Sequence, residues 1–198
     1  MGNLGSVRRA LIEVGADPVV AEKPEELQAA DRIILPGVGN FADGMKNLNE
    51  GGWVQEIQES AKRSRPLLGI CLGMQLLADY GTEGGGCAGL GLIPGEVRKI
   101  DTLGCKLRIP HTGWNNIELI GKSERLFRDI PCGTDFYFVH SFAFLPKKLE
   151  NMLATADYGV PLTAAISNGC VFGTQFHPEK SSKSGLRLLQ NFIGNQTC

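Results

Sequence analysis

A chain of 198 residues, 42% apolar and 21% charged, is long and apolar enough to bury a core, which excludes an intrinsically disordered segment. The formal net charge of −1 leaves no footprint for nucleic acid or an anionic membrane, and no apolar run approaches the roughly 20 residues that span a bilayer, so a small molecule or another protein is the expected partner. Six cysteines with no CxxC pair and no preceding secretory signal, and three scattered histidines, point to free thiols in a reducing cytosol and to no metal site.

In chain order, Leu4, Val7, Ala10, Leu11 and Val14 recur at helical spacing, and Gly15 closes that helix. Residues 17–21, Asp-Pro-Val-Val-Ala, read as a short strand, Pro24 to Ala30 as a helix opened by its proline, and Arg32-Ile-Ile-Leu-Pro as a second strand. Strands alternating with helices predict parallel pairing through right-handed crossovers. The turn Pro36-Gly37-Val38-Gly39-Asn40-Phe41 follows at the carboxyl end of a strand, where α/β sheets place their ligands. There the peptide between Gly37 and Val38 either presents an N–H to an oxyanion or is an ordinary strand-to-helix turn. Ala42 to Asn49 and Trp53 to Arg63 are expected as two helices separated by Gly51 and Gly52.

Pro66-Leu67-Leu68-Gly69-Ile70-Cys71-Leu72-Gly73-Met74-Gln75-Leu76-Leu77 begins as a buried strand and continues with Leu72, Gln75, Leu76 and Asp79 at helical spacing. Cys71 therefore stands at a strand-to-helix turn with Gly69 and Gly73 two residues to either side, the pattern of a nucleophile elbow written with cysteine. A sulfur placed there faces the N–H groups that open the helix, which favour a thiolate and can hold an oxyanion. Most cysteines in such a chain are core filler, so the reading requires a partner base.

Residues 81–91 hold six glycines and are expected to be loop, without the Lys-Ser/Thr ending of a phosphate loop. From Gly95 to Ile120, the segments Glu96-Val-Arg-Lys-Ile, Lys106-Leu-Arg-Ile-Pro and Trp114-Asn-Asn-Ile-Glu-Leu predict antiparallel strands, with Trp114 exposed between a glycine and two asparagines. Ser123 to Phe127 reads as a short capped helix, and Asp135-Phe-Tyr-Phe-Val-His140-Ser141 as an aromatic-rich strand. Met152 to Tyr158, Thr163 to Ser167 and Cys170 to Phe176 are further strands, with Asn168-Gly169 as a two-residue hairpin turn. A last helix, Ser184 to Ile193, turns Leu186, Leu189 and Phe192 inward.

The last strand runs straight into His177-Pro178-Glu179. In extended backbone, residues i and i+2 point the same way, so Glu179 can hold one imidazole nitrogen of His177 and leave the other for a thiol. With Cys71 this makes a Cys-His-Glu triad in which His177 is the general base and Glu179 the group that orients it. The elbow, the glycine turn and this pair all fall at carboxyl ends of strands.

Gly69-Ile-Cys71-Leu-Gly73-Met-Gln75 and Gln175-Phe-His177-Pro-Glu179-Lys180-Ser resemble the two signature motifs of the class I (triad) glutamine amidotransferases, and the resemblance covers nearly the whole chain. It implies one amidotransferase domain over residues 1–198 with a flavodoxin-like α/β fold: a mostly parallel open sheet flanked by helices, with an added antiparallel strand region. Family members begin with an apolar strand and a Tyr-Gly-x-Gly-Asn-Leu turn, whereas this chain starts at Met1-Gly2-Asn3-Leu4-Gly5 within that turn, so the first strand is expected to be missing.

By position, the resemblance implies that Cys71 attacks the glutamine side-chain amide, His177 relays protons and Glu179 holds His177, without a cofactor. The N–H groups of Leu72 and Val38 would be the oxyanion donors, and Gly37, Gly39, Gln75, Ser141 and Phe142 match glutamine-pocket positions. The segments Leu35-Pro-Gly-Val-Gly39, His111-Thr-Gly-Trp114-Asn115 and Phe136-Tyr-Phe-Val-His140-Ser141 are similar to one branch of the family. That branch forms a heterodimer with a (β/α)8-barrel cyclase subunit and passes it ammonia, giving imidazole glycerol phosphate and the carboxamide ribotide of purine synthesis. Asn3, Trp114, Tyr137 and Lys180 would then lie at or near the docking face. A paralogue feeding another synthase, such as one that modifies surface sugars, shares the same motifs. A catalytically impaired binding module is the third reading, against which the intact triad argues.

Overall fold

The computed structural model describes residues 4–120 and 125–194. In chain order its elements are α1 (Leu4–Glu13), a 3-10 helix (Pro24–Ala29), β1 (Ile33–Gly37), α2 (Phe41–Glu50), α3 (Trp53–Lys62), β2 (Leu67–Cys71) and α4 (Leu72–Leu76). Then come β3 (Tyr80–Gly81), β4 (Cys87–Ala88), β5 (Gly95–Lys99), β6 (His111–Asn116), β7 (Glu118–Leu119), β8 (Asp135–His140) and β9 (Phe142–Pro146). β10 (Met152–Asp157), β11 (Pro161–Asn168), β12 (Val171–Thr174) and α5 (Ser182–Gly194) complete the described chain.

A six-stranded sheet in the order β1-β2-β12-β11-β10-β7 forms the centre. β1 and β12 pair with β2 in parallel, and the remaining pairings are antiparallel. The expected α/β architecture is present as a mixed sheet, with parallel pairing confined to the three strands that carry the elbow and its neighbours. The reason is the short connection between β11 and β12, which can only return the chain antiparallel.

Strand β2 is buried along its whole length. Leu68 and Ile70 face one core, packed with Val7, Ala10 and Leu11 of α1 and with Leu188, Leu189 and Phe192 of α5. Leu67 faces the other core, with Phe41 and Met45 of α2 and Ile57 of α3. Burial on both faces is why this strand reads as a continuous apolar run rather than an alternating one. A four-stranded sheet, β4-β3-β5-β9, and the ribbon β6–β8 form the added strand region, antiparallel except where β3 pairs with β5.

Several local expectations are corrected. Residues 17–21 are irregular, and Val19 is 84% exposed. A strand is held by its ladder, and among the described residues β1 is the edge of the sheet, with no partner there for this segment. Residues 106–110 are irregular too; the Cys105 thiol donates to the Tyr158 carbonyl and the Tyr158 hydroxyl to the Arg108 carbonyl, so side chains anchor this segment where a ladder was expected. The strand starts instead at His111.

β9 was not anticipated, because its partner β5 is remote in sequence and Ser141 breaks the aromatic run. The hairpin loop is Gly169-Cys170, one residue later than expected, since Asn168 keeps its ladder pair with Val171 and Gly169 takes the positive φ of 58°. Residues 81–91 are loop with two two-residue strands and a 3-10 turn inserted. The helix expected over Ser123 to Phe127 begins outside the described residues, and residues 125–129 form a turn. Cys71, Cys87, Cys105 and Cys132 are free thiols, whereas Cys170 is disulfide-bonded, against the expectation for that residue. No helix among the described residues is long and apolar enough to cross a membrane.

Candidate active site

Cys71 adopts φ 54° and ψ −109° between β2 and α4, a strained conformation for a residue with a side chain. The two glycines beside it explain how the turn closes. A Cβ on Gly69 would stand 2.6 Å from the Gly73 carbonyl, and one on Gly73 would stand 1.8 Å from the Leu35 carbonyl oxygen. Only backbone without side chains allows α4 to approach β1 and β2 so closely.

The parallel register sets Gly37 beside Cys71. A Cβ on Gly37 would lie 3.1 Å from Leu72 Cβ, so the turn bearing Val38 and Gly39 rests against the opening of α4. On the other side of β2, Thr174 of β12 pairs with Ile70, and three residues later the chain delivers His177 to the same end of the sheet.

His177 Nδ1 lies 2.7 Å from Glu179 Oε1, and both side chains are almost wholly buried. Nε2 of His177 makes no complete hydrogen bond to the protein, and the Cys71 sulfur is the group that acts on it. Burial disfavours the imidazolium, but hydrogen bonding and charge attraction from Cys71 and Glu179 outweigh this and raise the His177 pKa to about 9. The ring is thus protonated at neutral pH beside the elbow sulfur. A thiol, an imidazole and a carboxylate in this order can attack an acyl carbon and pass a proton to the leaving group.

The sulfur opens into a cavity of about 380 Å³ lined by Val38, Gly39, Leu72, Gln75, Ser141 and Phe142. Of the pocket positions expected from sequence, only Gly37 is not among the lining residues; it packs against Leu72 and Gly73. Both amide protons of Gln75 are engaged, by the Phe142 carbonyl at 3.0 Å and by Gln175 Oε1 at 3.0 Å. Gln75 therefore offers the cavity its carbonyl oxygen.

Sequence reasoning missed four lining residues, Glu83, Pro110, Val139 and His140. Glu83 was hidden in the glycine-rich loop; its carboxylate also accepts the Phe41 N–H at 2.9 Å, at the start of α2. A single acid among glycines was the one available signal. Trp114, Tyr137 and Lys180 cluster on the ribbon side: the two rings are 6.1 Å apart, and the Lys180 ammonium stands 5.8 Å from the Tyr137 ring. Asn3 lies outside the described residues.

The model of the glutamine amidotransferase class-I family matches residues 2–195. A subunit of imidazole glycerol phosphate synthase, HisH, from Moorella thermoacetica is 50% identical over 97% of this chain and 90% of its own length. The subunit of the same name from Geobacillus kaustophilus is 44% identical over 100% of this chain and 94% of its own. Among solved structures, PurLQS from Thermotoga maritima superposes with a TM-score of 0.76 at 20% identity, over 98% of this chain and 92% of the other, a likeness of fold. With its elbow cysteine, its buried His-Glu pair and a match along nearly its whole length, the chain belongs to the class-I glutamine amidotransferase family.

Proposed function

We propose that Cys71, His177 and Glu179 hydrolyse the side-chain amide of glutamine, and that residues 1–198 serve this reaction as one domain. The observation that carries the reading is the buried His177–Glu179 pair, 2.7 Å apart, beside an elbow cysteine that opens into a cavity.

The Cys71 sulfur attacks the amide carbon, and the N–H groups of Leu72 and Val38 donate to the oxyanion that forms. The His177 imidazolium gives its proton to the departing nitrogen, and ammonia leaves behind a thioester. Water, deprotonated by His177, then attacks the thioester, releasing glutamate and restoring the sulfur. Gly39, Ser141 and Phe142 surround the substrate, Gln75 accepts a hydrogen bond from it, and the Glu83 carboxylate pairs with its ammonium group.

The chain is the glutaminase subunit of an imidazole glycerol phosphate synthase in histidine biosynthesis, in keeping with the names of relatives 44 to 50% identical to it. Free ammonia is protonated in water, so it is handed directly to a (β/α)8-barrel cyclase subunit in a cytoplasmic heterodimer. Trp114, 55% exposed, with Tyr137 and Lys180 beside it, forms the docking face.

The test is glutamate release from glutamine by the purified chain, alone and with the cyclase subunit and its nucleotide ligand, with Cys71→Ala as the blank. Release that the partner stimulates and the blank lacks is expected. No release from folded, partner-bound protein overturns the reading.

A further inference from the structure

His140 and His111 stand directly opposite each other in the β6–β8 ribbon. Both are buried, and neither belongs to the triad. His140 Nδ1 is 2.8 Å from the Phe142 carbonyl oxygen, which can only accept. That contact puts the proton on Nδ1 and leaves His140 Nε2 as an acceptor. His111 Nδ1, 2.9 Å away, must then be the donor to Nε2. His111 Nε2 is in turn an acceptor, and the Asn115 amide stands 3.3 Å from it while also donating to the Asp157 carbonyl at 2.7 Å. His111 is held flat between Phe138 and Tyr158, with ring centroids 4.7 and 4.1 Å away. The run from Asn115 to Phe142 therefore has a single polarity and no alternative tautomer.

The Phe142 carbonyl is the junction. It accepts from His140 on one side and from Gln75 Nε2 on the other, so both of its lone pairs are occupied. Gln75 donates its second proton to Gln175 Oε1, and the Gln175 amide lies 3.8 Å from the Cys71 sulfur. An amide can present its oxygen to the cavity only if its NH₂ end is held elsewhere, and the Phe142 carbonyl is half of that hold.

We infer that His140, fixed in its Nδ1–H tautomer by His111, is a positioning residue for glutamine binding: it holds the Phe142 carbonyl where that carbonyl orients Gln75. The inference rests on the reading of the cavity as a glutamine site. His140 touches no reacting atom. Its loss weakens substrate binding and leaves the reactivity of the sulfur in place, because the contacts of Cys71 with this network, from the Gln175 amide and to the carbonyl of Val139 beside His140, are both long at 3.8 Å.

The test compares two substitutions of similar size and polarity. The amide nitrogen of Asn can take the place of Nδ1, whereas that of Gln reaches the place of Nε2. Glutamine affinity is measured by calorimetry in the Cys71→Ala background with the cyclase subunit bound, so that turnover does not interfere. His140→Asn is expected within about threefold of the parent and His140→Gln about tenfold weaker, the size of one lost buried hydrogen bond. The rate of Cys71 alkylation by iodoacetamide, measured in the same variants with Cys71 intact, is expected to be unchanged. Equal affinities for the Asn and Gln variants, or a tighter Gln variant, overturn the inference.

If neither variant folds, nitrogen NMR of the histidine-labelled parent decides, with Nδ1–H on both His140 and His111 expected and Nε2–H on His140 excluding the proposal. A parent that binds no glutamine at all refutes the glutaminase reading instead, and the two failures are distinct.

Discussion

The backbone N–H of His177 donates to the Tyr137 carbonyl at 2.9 Å, so the residue that carries the proton is tied to the ribbon that carries the proposed docking face. The buried Ser181 hydroxyl braces the same junction, accepting from the Tyr137 N–H at 3.0 Å and donating to the His177 carbonyl at 2.6 Å. Ser181→Ala is expected to cost about 1–3 kcal/mol of stability and to lower kcat for glutamine more than it changes KM. Thermal melting and steady-state kinetics with the cyclase subunit check both; an unchanged kcat would show that the brace does not reach the triad.

Glu179→Gln keeps the shape of the orienting group and removes its charge. It is expected to lower kcat by about 10²- to 10⁴-fold, by analogy with loss of the acid in other triads, while glutamine affinity stays near the parent value. Wild-type turnover in this variant would mean that His177 needs no carboxylate.

Glu83→Gln is expected to raise KM for glutamine roughly ten- to a hundredfold, the range of a lost charge-assisted hydrogen bond. Glutaramide, which has the same amide and no ammonium group, should be hydrolysed equally by parent and variant. Equal sensitivity of both substrates would place Glu83 in a purely structural role at Phe41.

Gly73→Ala puts a methyl group where the Leu35 carbonyl oxygen already is. A loss of about 3 kcal/mol or more follows, because backbone must move on both sides. Chemical denaturation measures it, and a variant as stable as the parent contradicts the packing described for the elbow.

Stability should depend on pH in two limbs. Burial, opposed by the Phe142 hydrogen bond and aided by repulsion from His111 and His177, pushes His140 down to about 3, and burial pushes His111 down to about 4. Their unfolded forms titrate near 6.5. The unfolded chain therefore takes up protons first, and stability falls as pH drops below 6.5. His177 shifts the opposite way, to about 9, so its contribution is complete below 6.5 and is lost as pH rises toward 9. Melting temperatures from pH 4 to 9.5 should peak near 6.5, and a His111→Asn, His140→Asn double variant should flatten the acid limb alone. An acid limb untouched in that variant would assign it to other groups.

The elbow and the His177–Glu179 pair were legible in the sequence because each is local: the elbow is a Gly-x-Cys-x-Gly pattern and the pair spans two residues of extended chain. The cavity residues that escaped detection depend on distant pairings. Glu83 lies in a loop with no periodicity, and the polarity of His111 and His140 appears only once β6 and β8 are in register. Residues 17–21 failed for a related reason. Their β-branched composition fits a strand, but strands exist through their neighbours, and Val19 is left in solvent. Trp114 was correctly expected to be exposed because its flanking residues alternate with the buried face of β6.

The sheet places residues remote in sequence side by side: Cys71 meets Gln175 across 104 positions. Such contacts form late, because a long loop must close before they repay its entropy. On the ribosome, the elbow strand emerges well before β12, and His177 follows later still. The nascent chain thus carries Cys71 without its base until His177 has emerged. Until then, the elbow cysteine has no imidazole beside it to exchange a proton with.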